Sequence, residues 1–396
     1  MAGSTKQKSD RRRGKKSGGR DLRLDLFRGL ANWAIFLDHI PENLVNWITT
    51  RNYGFGDAAD IFVFISGYTA AFVYARVMRE QGVLPAAARI LKRAWQIYVA
   101  HVFLFVIYLG EIGYLAARTK NRSFVEQFNL LGFLSEPDVV LTQGLMLKFK
   151  PVNMDVLPLY IVLMLVLPPV LFGMLRRPNW TLAASFLLYS LAWWFGWNLP
   201  AFPKGEWYFN PFTWQLLFVF AAWCGVGAVQ QLARVLHSRV ILGLSVAYLL
   251  FALVITLGPR LDWFHSPLPS AFYAALDKTN LGPLRFLHFV ALAFVTVYFV
   301  HDDWPGLRWR LFRPAILCGQ HSLEVFCLGI FLSFAGHVVL VEISSAPWTH
   351  ILVSAAGIGL MIGLAYLLTA YRALDKRMAE FGKAVPMHAA AIDKQS

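Results

Sequence analysis

Charge is what this chain has least of. Asp, Glu, Lys and Arg make up 15% of its 396 residues, against roughly 25% in soluble globular domains. No stretch between the apolar segments is long enough for a separate soluble domain. Cysteine is scarcer still, with Cys224, Cys318 and Cys327 as the whole complement. All three fall in apolar stretches without metal-ligand spacing. That gives a disulfide framework or a zinc site no support and leaves them as packing residues. The chain lacks a glycine-rich phosphate loop, so nothing in it would drive transport with a nucleotide. It also lacks a repeat of fixed period.

What is present is apolar. Hydrophobic residues reach 57% and mean hydropathy is +0.50, too much for one buried core, so most of the chain must face lipid. Aromatics at 15%, with 14 Trp and 32 Phe, suit helix bundles and interfacial belts. Runs long enough to span, about 17 to 25 residues, predict helices near 23–41, 57–77, 95–117, 155–175, 180–198, 211–233, 239–257, 285–301, 317–340 and 349–371. The expected fold class is all-α: a polytopic membrane protein of about ten transmembrane helices, with one transmembrane domain over residues 21–373.

Loop charges orient the chain, because cytoplasmic loops collect Lys and Arg. Alternate loops carry Arg76, Arg79, Arg89, Lys92 and Arg93, then Arg176 and Arg177, then Arg234 and Arg239, then Arg308, Arg310 and Arg313. Residues 1–20 hold eight Lys and Arg against Asp10, and Arg372, Lys376 and Arg377 follow the last span. Both termini are therefore expected in the cytoplasm. Residues 1–20 read as a disordered basic tail drawn to anionic lipid rather than a nucleic-acid arm. Residues 374–396 read as a cytoplasmic C-terminal tail. A cleavable signal is excluded by Asp25, Arg28 and Asp38 in the first apolar stretch. The loop over 118–154 breaks the pattern with Arg118, Lys120, Arg122, Lys148 and Lys150, which its length allows, since long loops cross a membrane largely regardless of charge.

Ionisable residues inside a span are costly and mark function by default. The first helix is crowded with them. At about 100° per residue, Asp21, Asp25, Arg28, Asn32 and His39 fall on one stripe. Arg28 and His39 are separated by about 16 Å along the axis, which puts Arg28 in the cytoplasmic half and His39 in the outer half. Arginine holds phosphate or carboxylate, and histidine takes a proton from a hydroxyl near neutral pH. The pair suits an anionic donor on one side and an alcohol on the other. The plain alternative is an Asp25–Arg28 pair at i,i+3 and an interfacial His39 bonded to a neighbour.

Polar residues also gather at the outer helix ends: Asp38, Asp57, Asp60, Asn153, Asp155, Asn210, Trp214, Asp277, Lys278, Asn280 and Arg285. A rim of Asp, Asn and Trp is what sugar recognition uses, with Trp207, Trp214 and Trp263 as stacking platforms. Helix capping and aromatic belting would produce many of the same residues. On the inner side, Arg89, Lys92 and Arg93 could hold donor phosphates, or could merely obey the topology rule.

The segments Arg20-Asp21-Leu22-Arg23-Leu24-Asp25-Leu26-Phe27-Arg28-Gly29 and Phe36-Leu37-Asp38-His39-Ile40-Pro41 resemble the start of OpgC proteins, membrane enzymes that succinylate osmoregulated periplasmic glucans. Similar stretches run through Asp57–Tyr68, Met154–Tyr160, Asn210–Gln215 and Asp277–Pro283, and the resemblance covers roughly residues 20 to 375. OpgC proteins are related to the acyltransferase-3 group, whose first helix carries an Arg, ten residues, and a His needed for transfer. Arg28 and His39 match that spacing.

The resemblance implies succinyl-CoA as co-substrate and a periplasmic glucan hydroxyl as acceptor, at a Gram-negative inner membrane. No permanently bound cofactor, metal or nucleic acid is expected, and oligomeric state stays open. On this reading His39 is the general base and Asp38 or Asp60 orients it. Arg28, Arg89, Arg93 and Arg285 serve the donor, one of them facing the succinyl carboxylate. Asn153, Asp155, Trp207, Asn210, Trp214, Asp277 and Asn280 serve the acceptor. Direct transfer is favoured over an acyl-histidine intermediate. The rivals are an acyltransferase for another envelope polysaccharide and a non-enzymatic glucan carrier.

Overall fold

The computed structural model describes residues 21–392 except 122, 129, 265–267 and 302, and omits the side chains of 134 and 379–392. The basic tail expected over 1–20 lies outside the described residues. Ten helices of fifteen residues or more occupy the ten expected places: α1 (Leu22–His39), α2 (Ala58–Gln81), α3 (Val83–Thr119), α4 (Val156–Arg176), α5 (Pro178–Phe195), α6 (Pro211–Gly225), α7 (Arg239–Leu257), α8 (Pro283–Phe299), α9 (Ser322–Glu342) and α10 (Pro347–Ile392). The described residues form no strand, only an isolated bridge between Pro200 and Glu206. The fold is all-α.

Local chemistry sets the helix starts. Asp21 caps α1 by accepting from Arg23 N at 3.0 Å. Asp57 and Asp60 form a reciprocal capping box on α2. Asn210 caps α6, with Pro211 at the first helical position where its missing N–H costs nothing. Gly82, at φ 94°, ends α2 and begins α3 in a conformation that a side chain would resist.

Six of these helices (α2, α3, α4, α7, α9 and α10) are long and apolar enough to cross a membrane, and a seventh crossing counts α6 with its continuation. The protein is thus a membrane protein, but the expectation of ten apolar spans holds for only six or seven. α1 carries four charged residues, Arg23, Asp25, Arg28 and Asp38, α5 holds Asn179, Ser185, Tyr189 and Ser190, and α8 is 17 residues long. Two expected spans are also broken. That over 211–233 bends by 82° between Gly225 and Ala228, with Gly227 at φ 89°. That over 317–340 begins as a separate short helix, Arg313–Gln320, and restarts at Ser322. The last helix runs without a break past residue 374, so no change of structure marks the expected C-terminal tail.

Around this bundle α7 faces outward, with Val240, Leu244 and Leu250 more than half exposed, as lipid-facing side chains are. At the centre, Leu163, Met164 and Leu167 of α4 are almost fully buried. α1 is wrapped by α2, α9 and the helix Arg313–Gln320. Its contact with the last is backbone to backbone: a Cβ on Gly29 would collide with the Ala315 carbonyl, and one on Gly319 with the Asp25 carbonyl. Small residues permit such approach between membrane helices.

Gly29→Ala and Gly319→Ala should each cost about 1–3 kcal/mol by overpacking. We expect a lower melting temperature for the detergent-solubilised protein and reduced abundance in the membrane. An unchanged melting temperature for both would show that the helices can separate at no cost.

Candidate active site

The end of the bundle where α1 terminates and α2 begins is organised by buried charge. Arg285 of α8, 6% exposed, donates from Nε to Asp60 Oδ1 at 3.1 Å and from Nη2 to Asp60 Oδ2 at 2.7 Å. Its Nη1 donates to the Phe55 carbonyl at 3.1 Å, and its Nη2 lies 3.0 Å from Asp57 Oδ2. Lys278 Nζ closes the network at 2.6 Å from Asp57 Oδ2. Two carboxylates face two cations at the positive end of α2, where its dipole favours the acids. Burial alone would raise the Asp57 carboxyl, but Arg285 and Lys278 hold it well below the usual carboxylate range. Asp57 in turn keeps the Lys278 ammonium above its ordinary value despite burial.

His39 closes α1 beside this network. Lys278, Asp57 and Arg51 are the charges that act on its imidazole. Its backbone carbonyl, one of the orphan acceptors at a helix end, accepts from Asn153 Nδ2 at 3.1 Å. Asn153 reaches it from a left-handed conformation, φ 75°. The ring is half-buried, and Nδ1 is buried without a hydrogen-bond partner among the described residues.

The expected Asp–His pairing is not formed. Asp38 Oδ1 accepts from Thr49 Oγ1 at 2.7 Å, because successive helical residues point about 100° apart and cannot face each other. Asp60 is held by Arg285 and by the backbone N–H of Asp57, at 2.8 Å. Arg285 likewise departs from the donor-binding role: its donors are engaged by protein carboxylates and a carbonyl.

Most of the expected sugar rim is scaffold. Asn210 Nδ2 donates to the Trp197 carbonyl at 2.7 Å and to Asn280 Oδ1 at 2.8 Å. Asp277 accepts from the backbone N–H groups of Thr279 and Asn280, both at 3.0 Å, and from Asn280 Nδ2 at 2.7 Å. Trp214 is fully buried and donates to the carbonyls of Lys278 and Thr279 at 3.0 and 3.2 Å. These residues shape the loop that carries Lys278. Trp207 is buried as well, with Lys150 Nζ 3.9 Å above its ring, so neither tryptophan offers a free stacking face.

Asp155, by contrast, lines an open pocket. With Lys148, Lys150, Phe202, Lys204, Glu206 and Tyr208 it encloses about 330 Å³ beside the turn that holds Asn153. Burial pushes the Asp155 carboxyl up to about 6, against the pull of Lys150 and Lys278. Burial lowers the Lys150 ammonium to about 8, opposed by Asp155.

At the other end of α1, a second cavity of about 160 Å³ brings Arg28 and Arg93 together with Ser66, Thr69, Tyr74, Tyr160 and Ser322. Arg28 Nη2 donates to Thr69 Oγ1 at 2.8 Å and to the Ile65 carbonyl at 3.2 Å. Arg89, one turn earlier on α3, is exposed, bonded to Gln81 Oε1 at 2.9 Å, and does not line the cavity. Phe62 and Tyr160 also line the cavity; their rings meet edge to face at 6.4 Å, with Phe326 5.7 Å from Phe62.

The family model for OpgC protein matches residues 20–373. The chain belongs to the OpgC family. Neither the curated proteins nor the solved structures offer a match. Membership makes this OpgC-family chain an acyltransferase-type membrane enzyme of periplasmic glucan modification. Sequence reasoning grouped Lys278 and Asp57 with the rim without seeing their ion pair. It also missed the hydroxyl lining of the inner cavity, Ser66, Thr69 and Tyr74, since such residues carry no spacing signal. The Lys148 and Lys150 charges had already stood out as a topological anomaly.

A carboxyl whose folded pKa lies above its unfolded value stabilises the fold at low pH, and that contribution is lost as pH rises from about 4 through about 6. Asp155→Asn should therefore raise the melting temperature by about 2 °C at pH 7.5 and by about a third of that at pH 4.5. Thermal unfolding at both pH values checks this. Arg285→Leu, which leaves Asp60 buried without its cation, should cost about 3–5 kcal/mol, read as loss of folded protein, and Asp60→Asn/Arg285→Leu should recover part of it.

Proposed function

We propose that the protein transfers a succinyl group from cytoplasmic succinyl-CoA to a glucose hydroxyl of an osmoregulated periplasmic glucan. The observation that carries this reading is α1 itself. One end of that helix borders an arginine-lined cavity, and the other ends in a histidine whose buried Nδ1 has no hydrogen-bond partner among the described residues.

The protein sits in the inner membrane with about ten crossings and both termini in the cytoplasm. The charged helix α1 crosses within the bundle, packed against α2, α9 and the helix Arg313–Gln320, while α5 and α8 turn apolar residues such as Trp180, Phe186, Leu287 and Phe299 outward. The alternation of basic loops supports this orientation. Arg28 and Arg93 then face the donor side. Their charges suit the phosphates of coenzyme A or the succinyl carboxylate, and the hydroxyls of Ser66, Thr69 and Tyr74 add neutral contacts.

On the acceptor side, the His39 imidazole removes the proton from a sugar hydroxyl as its oxygen attacks the thioester carbon. The C–S bond breaks as the ester C–O bond forms, and the thiolate leaves with coenzyme A, to be protonated from solvent. Lys278, close to the imidazole and held by Asp57, supplies positive charge near the developing oxyanion. The Phe62–Tyr160 contact is where a thioester coming from the inner cavity must pass, about half a helical turn below Asp60.

With protein present at the wild-type level, His39→Ala should lower succinyl transfer by about 10²–10⁴-fold. Arg93→Ala should raise the KM for succinyl-CoA more than it lowers kcat. Purified full-length protein, succinyl-CoA and a neutral glucan acceptor make the assay, with mass spectrometry of glucans from a deletion strain beside it. Unchanged succinylation in the deletion strain, or full activity in His39→Ala, overturns the proposal. Intact glucan chemistry with lost glucan export would point to a carrier.

A further inference from the structure

The pocket beside the α1 terminus is lined by three lysines against two carboxylates. Lys148, Lys150 and Lys204 line it, on loops that the charge alternation assigns to the outer face, where Lys and Arg are disfavoured. The Nζ atoms of Lys148 and Lys204 have no hydrogen bond or ion pair among the described residues, whereas Lys150 sits over the Trp207 ring at 3.9 Å and donates to the Leu147 carbonyl at 3.3 Å. Two unengaged ammonium groups at the mouth of a concave site are anion receptors. The 330 Å³ enclosed falls in the range of ligand sites, about 300–1,000 Å³.

The rest of the lining is suited to a sugar. Tyr208 is 47% exposed, and its ring, with that of Phe202, offers apolar faces against which a pyranose can stack. Asp155 and Glu206 supply acceptors for hydroxyls, and Glu206 is itself oriented by Asn198 Nδ2 at 3.2 Å. A lipid phosphate would be repelled by those two carboxylates, while a polyhydroxylated ligand carrying one or a few anionic groups satisfies acids and lysines together.

The pocket also touches the catalytic end. Its wall over 148–155 contains Asn153, which bonds the His39 carbonyl, and the Tyr208 ring lies 5.6 Å from Lys278 Nζ.

We infer that this pocket is a subsite for a negatively charged carbohydrate: it holds a glucan segment that already bears anionic substituents while a nearby hydroxyl is presented to His39. The placement relative to His39 rests on the transfer reading above, whereas the preference for negative charge does not.

The test uses full-length protein in a neutral detergent and two probes, a neutral cyclic glucan and the same glucan carboxymethylated. Binding is measured by calorimetry without acyl donor. The wild type should bind the carboxymethylated glucan about tenfold more tightly, two exposed cations each contributing a few-fold. Lys148→Gln/Lys204→Gln should bring the ratio close to one, and Glu206→Gln should increase it. Melting temperatures establish that the variants are folded.

Equal affinity of the wild type for both probes overturns the inference, and so does a preference that survives the double substitution. Displacement of the bound glucan by mixed micelles of anionic phospholipid, at concentrations where zwitterionic micelles have no effect, would assign the site to lipid and overturn it as well. A lysine-dependent preference without succinyl transfer would uphold the pocket while the proposed reaction fails. Transfer without the preference would leave the reaction standing and remove the pocket's role.

Discussion

A guanidinium buried between helices must be met by carboxylates or the fold fails, and Arg285 imposes that condition on the end of the bundle that holds His39. Its partners come from the first turn of α2 and the preceding loop, so satisfying it fixes where α2 begins relative to α8. Lys278, drawn to the same Asp57, fixes the loop before α8. That loop is braced from behind by Asn210, Trp214 and Asn280. The residues around His39 are thus arranged by an electrostatic requirement that His39 does not share. Among the described residues, His39 Nδ1 is left buried without a hydrogen bond, as is Nδ1 of His288 one turn along α8 from Arg285.

The two ends of α1 face different chemistry because α2 and α4 do. Going inward along α2, the charged capping box gives way to Phe62 and then to Ser66, Thr69 and Tyr74. Along α4, Asp155 gives way to Tyr160 and Met164. The aromatic layer lies between two polar regions that could otherwise join into a leak for water and ions.

Helix positions were legible from apolar run length, and the stripe on α1 from the 3.6-residue period, because both are local properties. The approach of Arg28 to Arg93 was legible in part, since both had to lie on the basic side. What escaped was anything decided by a partner distant in sequence. Arg285 looked like a free cation because Asp60 is 225 residues away. Asn210 and Asn280, 70 residues apart, looked like sugar ligands because a scaffold asparagine and a ligand asparagine read alike. Asp38 looked like the partner of His39 because they are neighbours in sequence, which in a helix is the reason they cannot meet. The bend after Gly225 was hidden by continued hydrophobicity across it. Of the pocket lysines, Lys148 and Lys150 were visible only as an exception to the loop-charge rule, and Lys204 drew no notice.

Asn153 joins two demands at one position. Its backbone takes a left-handed turn, which glycine, asparagine and aspartate tolerate best. Its side chain must present an N–H to a carbonyl oxygen. Glycine meets the first demand and has nothing to offer the second. Aspartate meets the first and brings a negative charge against the oxygen. Glutamine and histidine carry a donor but place it at another reach. Of the twenty side chains, asparagine is the one that answers both, so this turn is mutationally brittle in a way its place on a surface loop does not suggest.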